Sequence, residues 1–555
     1  MSYKYHPMHM HLHAACDYGA SMALDMYNAS KLGMKYIWFT DHDTRMGIRE
    51  NCVDGFSFDT PSLMKYIDES FYGFETLNEN IDYSIDVKSK TLSMDLKSED
   101  SEEWTTSGIK FLSKGTLHTC SLSSDVTLSV EVKDFTLTPD SRLVFVVKLS
   151  QRPPDMKNAY MLYVVGENDD LLNLYNEHIQ TLSAKVENGM VTMPVSSDVS
   201  CDINIGGRDN AFDTLYILLQ SKCGKECSAK IGDFKIERKW ICEELKQRLQ
   251  KSADEAGKHY GVKPFVTTEI SGAGEHKNCY GTNIPIIDYK EYNYNMPEID
   301  AIEHVKKHNG IYAINHPFAI KKLKKLKFQD GIEAEKITQE LFENIKSTYK
   351  DASLIEVGFP EGRNFPLSYY LRLWDMLSLS GMFLTGYGSS DCHRNNIGWF
   401  DGNNFCTYIG VDPHLEHPIC EKEFVDGMKK GRVYTADPVR IKGNLTFETE
   451  NMIEMGSVIS FENKESVKAK FSMNKLSSDW TFKHIKDGEE VVCKRVEKED
   501  FEYNFVIEKS SQKVSFHRME IWDEKGRCIL ITNPIYAINK ELLSNPCPEE
   551  RLHIL

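Results

Sequence analysis

Two imidazole clusters near the N-terminus, His9-Met10-His11-Leu12-His13 and Thr40-Asp41-His42-Asp43, each close an apolar run. Successive side chains of a strand point to opposite faces, so His at alternate positions project from one face. Neutral imidazole is the commonest protein ligand for Zn, Mn or Fe. One strand can therefore offer two ligands to a single ion. Tyr36-Ile37-Trp38-Phe39, ahead of the second cluster, reads as the next parallel strand, again ending in ligands.

Further candidates stand near the ends of expected strands: Glu269 in Thr267-Thr-Glu-Ile-Ser271, His276 a few residues on, His316 in Ile314-Asn-His-Pro317, and Asp391 with His393 in Gly386-Tyr-Gly-Ser-Ser-Asp-Cys-His-Arg394. In α/β barrels the loops after the strands converge on one face, where ligands distant in sequence can meet. The elements that must position them follow from periodicity. Residues 1–73 read as strand, helix over 21–32 ending at Gly33, strand, then an irregular segment. From about 74 to 238, short alternating runs such as Val126-Thr-Leu-Ser-Val-Glu-Val132 and Leu143-Val-Phe-Val-Val-Lys-Leu149 recur between turn-forming clusters, as in an inserted β-sandwich. Strand and helix alternation resumes over 239–437, with a helix over 243–260 and strands over 265–270, 312–315, 354–357 and 383–386. Residues 438–555 turn β-rich again.

At 555 residues, 41% of them hydrophobic, the chain is too long for one core and should hold roughly two to four domains. A net charge of -17 argues against a broad nucleic-acid or anionic-membrane surface, though a small phosphorylated substrate held by metals fits it. No apolar stretch is long enough to span a membrane and the N-terminus carries no leader pattern, so a cytoplasmic address is expected. The 14 Cys are scattered, and Cys223 and Cys227 lack a second pair at zinc-finger spacing, so ordinary thiols are expected.

Taken in order, His-x-His, Asp, Thr-Asp-His, a Glu-containing strand, Asn-His-Pro and Asp-x-His resemble the polymerase and histidinol phosphatase (PHP) superfamily over about residues 5–60 and 240–437. The Gly386 to Arg394 run, the Leu373-Trp-Asp-Met376 helix and Thr532-Asn-Pro-Ile-Tyr536 resemble a branch of metallohydrolases related to a carbamate hydrolase. The resemblance implies a distorted (β/α)7 barrel; the inserted β-sandwich separately resembles jelly-roll carbohydrate-binding modules in its closing segment over 215–238, and the C-terminal residues read as a β-rich domain. It also implies two or three divalent ions (Zn, Mn or Fe). His11 and His13 would join Glu269 and Asp391 around one ion. Glu269 would bridge to a second held by His276 and His316, and Asp17, His42 and His393 would hold a third. Such a site suits hydrolysis, because a water bridging the ions reaches hydroxide near neutral pH while the ions polarise the scissile group.

The residues leave some alternatives open. A His9/His11 pair competes with His11/His13, and Asp17 fits better after His13. Asp41 and Asp43 read as orienters of imidazoles. Arg394 could pair bidentately with a phosphate oxygen and, with Asp41, is the candidate catalytic group. Glu356 closes a strand and Arg363 follows it, with pocket-facing and loop-stabilising roles equally open. Lys321-Lys-Leu-Lys-Lys-Leu-Lys327 reads as a solvated helical face. The expected activity is hydrolysis of a small phosphorylated molecule. Carboxylic-ester or carbamate hydrolysis is the alternative, and an inactive barrel whose insert binds carbohydrate is an alternative of another class.

Overall fold

The computed structural model describes residues 3–14, 22–43, 52–56, 71–76, 81–113, 125–149, 159–166, 178–199, 212–239, 242–281, 283–292, 295–318, 331–358, 366–392, 399–400, 405–543 and 546–555. Asp17, His393, Arg394, Arg363 and the lysine-rich run 321–327 lie outside them.

The fold is mixed α/β, rich in strands and built from several sheets. His-rich strand Lys4–Leu12 pairs in parallel with Tyr36–His42, which pairs in parallel with Lys263–Ile270. The intervening helices, Met22–Lys31 and Cys242–Tyr260, pack together through Met22, Met26, Leu249 and Ala253. This is the crossover arrangement that parallel strands require. Next come Lys277–Tyr280 and Ile311–Ile314, each antiparallel to its neighbour, and then Leu354–Gly358 and Thr385–Gly388, which return to parallel pairing.

Among the described residues these strands form a mixed sheet with no ladder closing it into the expected (β/α)7 barrel. The reason is local. Residues 271–276 are too few to hold a crossover helix, so the chain returns from Ile270 as an antiparallel strand. On the other edge Lys4–Leu12 pairs antiparallel with Cys406–Val411. A single parallel bridge, Leu12 to Cys392, brings the segment after Thr385–Gly388 back to the end of the first strand. There the His13 N–H donates to the Cys392 carbonyl at 3.0 Å.

The C-terminal β region does not stand apart. Its strand Cys528–Thr532 pairs with Val433–Ala436, so its strands extend the same sixteen-stranded sheet. One apolar cluster runs from Phe39 and Leu249 through Tyr434 to Phe447, Phe482 and Ile521.

Strands between residues 52 and 239 form two six-stranded sheets. Between them lies one cluster drawn from both, including Leu128, Val130, Phe145, Val147, Ile217 and Ile236. Alternation explains this: Leu143, Phe145 and Val147 face that cluster, while Val144 and Val146 belong to a separate cluster on the opposite face. Pairing begins at Cys52–Phe56, against the last long strand Glu226–Lys239, which is upstream of the expected boundary at 74. Cys52 and Arg238 are direct Cα partners. Replacing 53–237 by a short Gly/Ser linker is therefore expected to leave the α/β part folded, as insertions with adjacent ends allow. Circular dichroism and zinc binding check this. Aggregation on deletion would show that the insert completes the core.

Cys223 and Cys227 are in no disulfide. No helix among the described residues is long and apolar enough to cross a membrane.

Candidate metal centre

His9, His11 and His13 are fully buried on one face of their strand, while Met8 and Met10 point the other way into a cluster with Trp38 and Phe265. Glu269 and His42 are direct partners on neighbouring strands, so their side chains share that inner face. Register alone brings His42 Nδ1 to 2.6 Å from Glu269 Oε2.

The other groups converge on the same carboxylate. His11 Nε2 lies 3.3 Å from both Glu269 Oε1 and Asp391 Oδ1. His13 Nε2 lies 3.2 Å from Asp391 Oδ1 and 3.7 Å from Glu269 Oε2. His276 Nδ1 approaches Glu269 Oε1 at 3.2 Å, and His316 Nε2 stands 3.9 Å from the same oxygen. Three overlapping groups result, each compact enough to hold an ion: His11, His13 and Glu269; His42, Glu269 and His276; His11, His316 and Glu356. Among the described residues His42 is grouped with Glu269 and His276; Asp17 and His393, which the resemblance set beside it, lie outside them. His276 is 40% exposed, which puts it at the mouth.

The electrostatics suit cations. Burial pushes the Glu269 carboxyl up, but His276, His42 and His11 more than offset it and hold it well below the usual range. Burial lowers His11, and Asp391 and Glu269 more than reverse this, raising it well above the usual imidazole value. The positive charge these carboxylates draw onto imidazoles is charge that divalent ions would supply.

Two of the groups sit on unusual backbone. His316 has φ 21° and Asp391 φ 47°, conformations uncommon outside glycine that recur at functional sites. The glycines of the 386–394 run let the chain approach this closely. A Cβ on Gly388 would fall 1.7 Å from Thr435 Oγ1, and one on Gly386 would meet the Trp374 ring at 2.6 Å.

His9 lies apart from the carboxylates, its ring 4.2 Å from that of Trp399 and its Nδ1 3.4 Å from Ser390 Oγ. Burial lowers its pKa to about 3. Asp41 and Asp43, expected to orient imidazoles, bind neighbouring loops. Asp41 accepts the Ala14 N–H at 2.9 Å, and Asp43 accepts the Ser271 N–H at 2.8 Å and the Tyr289 hydroxyl at 2.5 Å. The bonds of Asp43 hold the turn that begins at Ser271, and that of Asp41 ties the end of its strand to the backbone of Ala14.

Two groups that the sequence left unassigned stand in the centre. Glu356, fully buried, accepts from His11 Nδ1 at 3.3 Å and His316 Nδ1 at 3.1 Å. Burial raises its carboxyl and these imidazoles pull it down to about 2. Asn315 donates to Glu269 Oε1 at 2.7 Å while its oxygen accepts from the Tyr387 hydroxyl at 3.0 Å. Their signals were present: Glu356 ends an apolar strand and Asn315 precedes His316.

No family model matches the chain, and no curated protein matches it. Among solved structures, similarity extends to a two-domain protein from Bacteroides vulgatus containing a predicted PHP-like metal-dependent phosphoesterase. The identity is 14%, the coverage 52% of this chain and 79% of that one, and the TM-score 0.26. A family 11 xylanase from Neocallimastix patriciarum matches at 8% identity over 30% of this chain and 99% of its own, with a TM-score of 0.18. A family 30 carbohydrate-binding module of a Clostridium thermocellum cellulosomal cellulase matches at 13% identity, over 33% and 96% respectively, with a TM-score of 0.18. At such low TM-scores these likenesses carry no weight for fold or activity, and the chemistry rests on the side chains.

Proposed function

We propose that the protein is a metal-dependent hydrolase of the PHP type, acting as a phosphoesterase on a small phosphorylated molecule. The observation that carries this reading is the Glu269 carboxylate, fully buried and met on each oxygen by imidazole: His11 and His276 at Oε1, His42 and His13 at Oε2. A carboxylate so placed can bridge two ions. The donors are imidazole nitrogens and carboxylate oxygens, a set that suits Zn, Mn or Fe. Divalent ions held here would supply a water activated near neutral pH and would draw charge from the scissile group and its leaving oxygen.

The chain's own residues do the rest. Asp391 adds a second anionic donor facing His11 and His13. Asn315 keeps Glu269 Oε1 in place, and Asp43 holds the turn that begins at Ser271. Partly exposed His276 leaves the centre open to a small substrate on that side. In the sequence Arg394 follows Asp391 by three positions, and its guanidinium suits a phosphate oxygen better than a neutral ester.

The test is turnover of an aryl phosphate and an aryl phosphodiester by metal-stripped protein and by protein reconstituted with Mn, Zn or Fe. Chelation should abolish hydrolysis and one of these ions should restore it. Cleavage of aryl carboxylic esters or carbamates without phosphoester cleavage would overturn the phosphoesterase reading.

A further inference from the structure

We propose that Glu356 is a positioning residue for the metal centre, locking His11 and His316 in the tautomer that turns both Nε2 atoms inward; this rests on the metal-dependent reading above. An ionised carboxylate accepts only, with room for about four hydrogen bonds. All four places on Glu356 are taken. Oε1 receives His11 Nδ1 at 3.3 Å and the Ser389 hydroxyl, and Oε2 receives His316 Nδ1 at 3.1 Å and the His316 backbone N–H. With its lone pairs spent, Glu356 is an orienter of imidazoles and not itself an ion's ligand, although it stands close enough to His11 and His316 to be one.

The geometry of the two imidazoles agrees. An acceptor-only partner obliges each Nδ1 to carry the proton, so each Nε2 keeps its lone pair. Those Nε2 atoms lie on the Glu269 side, at 3.3 Å and 3.9 Å from Oε1. The two rings are stacked, with centroids 5.6 Å apart and planes 21° from parallel, as expected of rings hung from one carboxylate. By accepting the backbone N–H of His316, Glu356 also holds that residue at its unusual φ of 21°. One side chain therefore sets the orientation of two candidate ligands and the backbone of one.

Glu356→Gln separates orientation from shape. The amide oxygen can accept from one imidazole, but the amide nitrogen donates, so the other imidazole must turn Nδ1 into an acceptor and place its proton on Nε2. That ring can no longer bind an ion through Nε2. Zinc affinity, measured by chelator competition, is expected to fall about 10- to 100-fold for one ion, the range typical for loss of such partners. Glu356→Asp, which keeps an acceptor-only group at shorter reach, should recover part of it. An independent readout needs no variant: long-range proton–nitrogen spectra of zinc-loaded wild-type protein should show His11 and His316 protonated on Nδ1 and metallated through Nε2. Wild-type protein that binds none of zinc, manganese and iron would overturn the metal reading and this inference together. Zinc bound normally by Glu356→Gln, or metallation of either ring through Nδ1, would overturn the inference alone.

Discussion

Glu269→Gln is expected to reduce phosphoester hydrolysis by about 1000-fold or more, because a site that loses a bridging ion forfeits several kcal/mol of charge stabilisation. The substitution preserves shape and removes the charge around which His11, His13, His42 and His276 are gathered. Elemental analysis of the purified variant should show at least one ion fewer per chain. The variant should still fold, because Asn315 can keep a hydrogen bond to the amide oxygen. Full metal content with normal turnover would remove Glu269 from the site.

The second large effect is expected at a buried ion pair outside the candidate metal centre. Arg518, on strand Val514–Trp522, donates to Asp375 Oδ1 at 3.0 Å and Oδ2 at 2.9 Å and also to Glu520. Asp375 lies on helix Leu367–Leu379, so this bidentate pair fastens the C-terminal β region to the α/β part. Arg518→Met leaves two buried carboxylates without their cation and is expected to cost about 3–5 kcal/mol, the range for breaking a buried ion pair by removing one partner. Chemical unfolding measures it. The loss should depend on pH. Burial already pushes the Asp375 carboxyl up, with Arg518 opposing, so removal of the guanidinium raises it further. The folded variant then binds a proton more readily than the unfolded chain does, and stability rises as pH falls through the raised Asp375 value towards that of the unfolded chain. A loss below about 1 kcal/mol, independent of pH, would show that the pair is solvated and of little consequence.

Much of the centre was legible in the sequence because its information is local. Alternation of His9, His11 and His13 fixes a shared face whatever the strand pairs with. A carboxylate closing an apolar run, as Glu269 does, stands at a strand end by the same argument. The observed strands Asp125–Thr136 and Ser141–Leu149 and the helix Cys242–Tyr260 likewise lie where periodicity puts them. Pairing is another matter, since register and direction depend on which distant segment lies alongside. Only the tertiary structure set Glu269 opposite His42. It also turned Lys277–Tyr280 antiparallel where a parallel strand was expected, and joined Cys528–Thr532 to Val433–Ala436 so that the C-terminal region continues the main sheet. Glu356 marks the boundary most sharply. Its sequence context says only that a carboxylate ends a strand. That it hangs two imidazoles, one 345 residues away in the chain, is decided by contacts that no local pattern encodes.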